Sequence, residues 1–274
     1  MSMHPPIQWP AEAIWEAVVA ELPGFTVEIV PQLDSTNSEL MRRARSGCFD
    51  PVLLVTEQQT AGRGRLGRQW FSDGSAAGKP AHAMPNPGAL TFSLGLPLYP
   101  QDWSGLSLAV GLSVVQSLHP DLRLKWPNDV WLQERKLAGI LIETASLGDM
   151  RYAVVGIGIN IKEPPAQGLA TPPAGLRELL PGIDAAQALL RIAAPLVRTI
   201  KAFEARGFGK FQRPFNDRDA LDGLPVTLSD GMTGTAQGVD AVGALQVLTA
   251  QGLKKITSSE VSVRPQSPPP YASL

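Results

Sequence analysis

Cysteine is nearly absent. The 274-residue chain has one, Cys48, so no internal disulfide can form and a disulfide-stapled extracellular fold is excluded. Cys48 stands in a polar stretch before Phe49 with no histidine nearby, which marks it as structural or incidental rather than a nucleophile. An excess of one charge sign is also lacking. The formal net charge is -1, so the chain is no nucleic-acid polycation, and any basic patch must be local. No segment offers about 18 uninterrupted apolar residues, so no membrane span is expected. The first residues show no basic region followed by an apolar run, so no secretory signal is read and a cytoplasmic location is expected. What is there is an ordinary globular balance: 44% hydrophobic and 18% charged residues, in a length that suits one large domain or two unequal ones.

Pro10 opens a helical pattern with Ile14, Trp15, Val18, Val19 and Leu22 on one face, stopped by Pro23-Gly24. The alternation of Phe25–Val30 predicts a strand. Thr36 and Glu39 have capping-box spacing and Gly47 suits a helix end, which predicts a helix over Asn37–Ser46. Its N-terminus leaves N–H groups without helical partners and so makes a polar recognition point. Pro51–Thr56 and Leu90–Leu98 read as strands, and Ser72–Ala89 between them, rich in Gly and Pro, as a mobile surface loop. Ser104–Leu118 reads as a helix with one apolar stripe of Leu106, Ala109, Val110, Val114 and Leu118. Leu122–Leu132 is a strand interrupted by the Pro127-Asn128-Asp129 turn, and Lys136–Glu143 and Arg151–Ile161 are further strands. Glu163–Gly182 is Pro-rich and irregular. Asp184 and Gln187 cap a helix to about Ala205 that Pro195 is expected to kink or split, and a short helical piece follows in Phe208–Leu221.

After Asp222 the texture changes. Val226–Leu228, Thr235–Val239, Leu245–Leu248, Lys254–Thr257 and Ser259–Val263 alternate with turn signals, which predicts a small all-β barrel. The expected organisation is a domain over 1–221, including the short N-terminal helix, a second over 222–265, and a disordered tail over 266–274.

The most informative stretch is TAGRGRLGRQW, Thr60 to Trp70, where Gly62, Gly64 and Gly67 alternate with Arg63, Arg65 and Arg68. Glycines let backbone N–H groups approach a ligand, and arginines add planar donors that match phosphate and carboxylate oxygens. GRGRLG formally matches a dinucleotide fingerprint, but no helix opens at the third glycine, and no G-K-[ST] follows for a Walker loop. Lys125 and Lys136 flank the turn inside otherwise apolar strands, where a charge needs a partner, and an anionic ligand shared with the arginine loop supplies one. Asp129, if not a plain turn residue, binds Mg²⁺ or orients an incoming amine.

Five co-ordered blocks now stand out: DSTN (Asp34–Asn37), QTAGRGRLGRQW (Gln59–Trp70), KWPNDV (Lys125–Val130), RKLAGILIE (Arg135–Glu143) and VVGIGINI (Val154–Ile161). In sequence and order they resemble the biotin–protein ligases, across about Phe25 to Leu221, and EVSVRP (Glu260–Pro265) resembles the end of that family's C-terminal SH3-like domain. Lipoate ligases share the fold but have a different arginine–glycine signature. The resemblance implies an α+β fold: a mixed sheet flanked by helices, as in class II aminoacyl-tRNA synthetases and biotin ligases, plus a small C-terminal SH3-like β-barrel. It implies ATP-dependent biotinylation of one lysine on a biotin carboxyl carrier protein, an acetyl-CoA carboxylase subunit, through biotinyl-5′-AMP, with ATP and biotin as substrates and Mg²⁺ beside them.

By the same resemblance, Ser35, Thr36 and Gln59 would hydrogen-bond the ureido ring of biotin, with Asn37 beside them. Arg63, Arg65 and the glycine backbone, Gly62 included, would close over biotin and the adenylate phosphate. Lys136 would hold the biotin carboxylate and then the acyl-phosphate oxygen. Lys125 and Asp129 would act at the nucleotide, metal and acceptor side. Gly139, Leu141, Gly156 and Gly158 would line the biotin pocket. Arg68, Trp70, Asn128, Asn160 and Arg264 would serve the nucleotide. The Ser72–Ala89 segment is longer and richer in Gly and Pro than the family pattern. A biotin-responsive repressor would need a DNA-binding domain, and the 24 residues before Phe25 do not provide one, so no DNA partner is expected. A biotin-binding module without catalysis would not need two lysines and a full arginine loop. Monomer and homodimer both remain open.

Overall fold

The computed structural model describes residues 7–70, 88–166, 169, 171–257 and 263–265. The expected Ser72–Ala89 loop, apart from its last two residues, lies outside them, as do the tail and all of the expected Ser259–Val263 strand except Val263.

Seven strands form a mixed sheet: β1 (Thr26–Leu33), β2 (Val52–Gln59), β3 (Ala89–Pro97), β4 (Arg123–Lys125), β5 (Asp129–Leu132), β6 (Arg135–Leu147) and β7 (Met150–Asn160). Their spatial order is β1-β2-β3-β7-β6-β5-β4. β1 and β2 are parallel, joined through helix α2 (Thr36–Arg45), because a parallel pair needs a crossover. Every other neighbour pair in this sheet is antiparallel. Helices α1 (Ala11–Val18), α3 (Leu106–Leu118) and α4 (Ala185–Arg206) pack on one face, and α2 lies on the other. α2 buries Leu40, Met41 and Ala44 against Leu54, Tyr152 and Val154, but only over part of its face, and the remainder becomes the site.

Three local expectations are corrected. The α2 N-cap is Ser35 rather than Thr36: Ser35 is extended and its side chain accepts from the Ser38 N–H, so the cap is shifted by one residue and Thr36 is left free for other bonds. α3 is buried nearly all round, not along one stripe, because it lies between the sheet, α4 and a short helix α5 (Gln212–Asn216). α4 runs unbroken for 22 residues with Pro195 inside it. A proline costs one helical bond, and here Leu189, Ile192, Leu196, Ile200 and Phe203 bury a continuous apolar stripe that outweighs it. The Asp184/Gln187 capping box forms as expected.

The C-terminal strands β8 (Pro225–Leu228), β9 (Thr233–Val239), β10 (Leu245–Thr249), β11 (Gly252–Ile256) and β12 (Val263–Pro265) form an antiparallel sheet ordered β11-β10-β9-β8-β12. It docks on the first layer by specific bonds. Trp126 Nε1 donates to Gly243 O at 3.1 Å, Gln212 Nε2 donates to Val239 O at 2.9 Å, and Asn216 Oδ1 accepts from Val239 N at 2.9 Å.

The segment joining the two sheets holds a carboxylate under stress. Arg218 O and Ala220 N bond both sides of Leu124 in β4, which fixes Asp219 against the strand. Asp219 Oδ1 accepts from Leu221 N, while Oδ2 is buried without a partner among the described residues. Burial pushes this carboxyl up to about 7, with Asp222 adding repulsion and the Leu221 N–H opposing it. A carboxyl raised on folding holds its proton in the native state after the unfolded chain has lost it, so stability falls as pH rises from the ordinary Asp range to about 7. Asp219→Asn should therefore gain stability relative to wild type as pH is raised from 5 to 8, measured by denaturant unfolding. A wild-type-minus-variant difference that does not change with pH would contradict this.

Candidate active site

Strand register builds the site. Lys125 pairs with Asp129, Asp129 with Gly139, Gly139 with Gly158, and Gly158 with Thr91, so these five form one row across the sheet. Two residues along, Leu141, Gly156 and Ser93 form a second row. Residues two apart share a face, so both rows belong to the α2 side. Above them lies a cavity of about 530 Å³, roofed by α2 and by the Thr60–Trp70 loop.

The floor is glycine for a physical reason. A Cβ at Gly158 would lie 2.3 Å from the Trp70 indole, and a Cβ at Gly156 would lie 2.0 Å from Asn37 Oδ1. Trp70 and Asn37 thus lie directly on the sheet. The loop reaches this position as a small ring: Arg63 bridges Gln69, Gly64 N donates to Arg68 O at 2.7 Å, and Trp70 N donates to Gly62 O at 2.9 Å. Trp70 Nε1 is buried without an acceptor among the described residues, a costly state that an incoming acceptor would relieve.

One end of the cavity is neutral and polar. Ser35, Thr36 and Asn37 are buried at the start of α2. The Thr36 N–H and hydroxyl both meet Gln59 Oε1, at 2.9 and 3.3 Å. Ser93 Oγ is 2.7 Å from Thr36 Oγ1 and 2.6 Å from Asn37 Oδ1. Asp34 is not in the cavity. It clamps the α2 entry, accepting from Ser35 N and from both Arg42 Nη atoms, and Arg42 holds its carboxyl down at about 2.

The other end is cationic. Lys136 Nζ pairs with Asp129 Oδ1 at 2.7 Å. Lys125 Nζ lies 5.4 Å from the Trp131 ring centroid. Burial lowers the Lys125 ammonium from its ordinary value; Asp129 opposes this, and Lys136, Arg68 and Arg264 add to it. Arg65 is lowered by burial first, with Asp129 opposing and Arg68 adding. Arg264 reaches the cavity from β12, across the boundary between the two sheets. Asp129 is the one carboxylate among the lining residues, beside five basic residues: Arg65, Arg68, Lys125, Lys136 and Arg264. A sixth, Arg63, is paired with Glu143 at 3.1 Å.

Every residue given a site role from the sequence lines this cavity except Gly62, where a Cβ would lie 2.3 Å from Trp70 O. Two amides are engaged with backbone. Asn128 Nδ2 donates to Ile140 O at 2.8 Å, and Asn160 Nδ2 donates to Ala174 O at 3.1 Å and Lys136 O at 3.3 Å. The sequence reading missed Thr91 and the wall made by Pro164, Pro165, Thr171 and Pro173 in the lining, and it missed Ser93 and Glu143, which bond lining residues from behind. Polar Thr91 and Ser93 alternating in an apolar strand are the signal that marks them. The wall is pinned by Lys136 N to Pro172 O and Ala174 N to Lys136 O.

Residues 30–160 match the Biotin/lipoate A/B protein ligase family and residues 225–264 match the Biotin protein ligase C terminal domain. The bifunctional ligase/repressor BirA of Escherichia coli is 33% identical over 262 residues, covering 90% of this chain and 77% of that protein. This chain belongs to the biotin protein ligase family. Another family member, the biotin–[acetyl-CoA-carboxylase] ligase of Paracoccus denitrificans, is 32% identical over 85% of this chain and 98% of its own length. The biotin protein ligase of Aquifex aeolicus, solved in complex with biotin and ATP, superposes with a TM-score of 0.70 at 30% identity, covering 88% of this chain and 99% of that one.

The floor contact is testable. Gly158→Ala should destabilise by about 1–3 kcal/mol, the usual range for overpacking, because its methyl meets the indole. In a Trp70→Ala background the same change should cost distinctly less. Denaturant unfolding of the four proteins of this cycle gives the coupling, and strictly additive effects would refute the contact.

Proposed function

We propose that this protein attaches biotin to one lysine of a biotin carboxyl carrier protein, a subunit of acetyl-CoA carboxylase, using ATP and passing through biotinyl-5′-AMP. One observation carries the reading: a single glycine-floored cavity joins a neutral polar end to a cluster of cations held by one carboxylate. A ureido ring suits the first and two anions suit the second.

In the first step a carboxylate oxygen of biotin attacks the α-phosphorus of ATP. The new C(O)–O–P bond forms as the α–β phosphoanhydride breaks, and pyrophosphate leaves with the electron pair. The two reactants repel one another, and charge grows on the α-phosphoryl oxygens. Lys136, Arg65 and Arg68 are placed to offset both effects in a site where burial strengthens each interaction. Asp129 steers the Lys136 ammonium through its 2.7 Å bond. Lys125 is held as a desolvated cation that an anionic ligand would stabilise. In the second step the neutral amine of the carrier lysine attacks the acyl carbon. The C–O bond to AMP breaks, AMP leaves as the phosphate anion, and the amine gives up a proton. Between the steps the arginine–glycine loop shields a mixed anhydride from water and stray amines.

Mg²⁺ enters this scheme on its substrate, as MgATP. Among the described residues no three His, Cys, Asp or Glu side chains come together, and the cavity's one acid is engaged by Lys136. Magnesium usually keeps several waters and takes the remaining ligands from phosphates. Trp70 and Arg264 are the proposed adenine and phosphate contacts, and the buried Trp70 Nε1–H has no acceptor among the described residues.

Lys136→Ala should abolish biotin-dependent ATP–pyrophosphate exchange while leaving the thermal midpoint within a few degrees of wild type. Exchange near the wild-type rate would remove Lys136 from the reaction. Arg65→Gly should slow adenylate formation and loosen the loop, so that the biotinyl-AMP that does form escapes and bystander lysines in an added unrelated protein become labelled. An adenylate retained as tightly as in wild type would contradict the role given to Arg65.

A further inference from the structure

Glu143 takes no part in the chemistry above, yet it touches both halves of the site. It lies on β6 in line with Gly139 and Leu141, two residues beyond the cavity lining. Its Oε1 is 3.1 Å and its Oε2 3.3 Å from Arg63 Nη1. The same Oε2 accepts from Asn37 Nδ2 at 3.0 Å. Arg63 Nη1 also lies 3.5 Å from Ser38 Oγ, in the first turn of α2. Arg63 is the residue that bridges Gln69 and closes the base of the loop ring, and the far leg of that ring carries Trp70 onto Gly158. Asn37 is in turn locked by Ser93 and by Leu141 O, over Gly156.

We propose that Glu143 is a positioning residue that couples the arginine–glycine loop to the start of α2, so that the loop closes only over a correctly set polar pocket. One carboxylate accepts from the loop's first arginine and from the amide that rests on the glycine floor. Displacing either donor removes a charge-assisted bond from the other's acceptor. The pair is half exposed, with side-chain exposures of 50% for Arg63 and 22% for Glu143. It therefore adds little to global stability. Its effect is on where the loop sits. Arg63 itself also lines the cavity.

The ligand-dependent half of this proposal rests on the ligase reading, so the test has two arms. Glu143→Gln keeps the volume and an oxygen acceptor for Asn37 but removes the charge that holds Arg63. Without any ligand, amide hydrogen exchange across residues 60–70 should speed up about three- to tenfold, the scale of one half-exposed hydrogen-bonded ion pair. Exchange in β3 and β7 should not change. In the pyrophosphate-exchange assay the KM for biotin and the release rate of biotinyl-AMP should rise by a similar about three- to tenfold factor, with kcat changed less than about twofold. The Glu143→Gln/Arg63→Gln double variant should be no worse than Arg63→Gln alone. Loop exchange unchanged in Glu143→Gln overturns the proposal whatever the catalytic outcome. So does a wild-type KM for biotin in an active enzyme, or strict additivity with Arg63. A wild-type protein without pyrophosphate exchange would overturn the ligase reading instead, and the loop arm would still decide the role of Glu143.

Discussion

One half-buried carboxylate among five cations is the constraint on which this structure turns. Asp129 pairs with Lys136 and faces Lys125, Arg65, Arg68 and Arg264 across a single cavity. Like charges brought together under desolvation raise the free energy of the empty protein, and the lowered ammonium of Lys125 records that cost. An arrangement of this kind is stable only because the scaffold forces it, and it becomes favourable when anions arrive. The cations do not come from one motif. The loop after β2 supplies two, the β4 and β6 strands one each, and the C-terminal sheet the last. Both sheets are therefore needed to complete one electrostatic site.

Position is set by strand register and by the absence of side chains. The row Lys125–Asp129–Gly139–Gly158–Thr91 places a buried-site lysine, its carboxylate neighbour and two floor glycines on one line. A slip of one residue in β6 would turn Lys136, Gly139 and Glu143 to the opposite face. The glycines at 156 and 158 then let Asn37 and Trp70 descend onto the sheet, which brings α2 and the loop within reach of each other. Ser93 and Glu143 tie that contact from two different strands. The neutral pocket and the cationic pocket are therefore linked parts of one surface.

Much of this was legible in the sequence, and the rest was not for definite reasons. Strand and helix positions follow from periodicity, and the Asp184 cap formed where Asp and Gln stand three apart. The separated blocks, read as a resemblance, named residues that nearly all line one cavity. Local reading failed where tertiary packing outweighed propensity: α4 runs through Pro195, and α3 is buried nearly all round. It also failed where function depends on partners far apart in the chain. Glu143 reads as the end of an apolar strand, and nothing near it announces Asn37, 106 residues away, or Arg63, 80 away. Gly62 looked like a ligand contact because it belongs to the loop motif, yet its place is behind Trp70.

The central claim, that this cavity makes an acyl-adenylate from biotin and hands it to a protein lysine, is tested most directly by transfer. The purified protein is mixed with labelled biotin and a biotin carboxyl carrier domain, with and without ATP and Mg²⁺, and the carrier is analysed by intact mass and peptide mapping. The account predicts one biotinyl group on one lysine of the carrier, formed only when ATP and Mg²⁺ are both present. Absence of transfer with all components present, or transfer that does not require ATP, would contradict it.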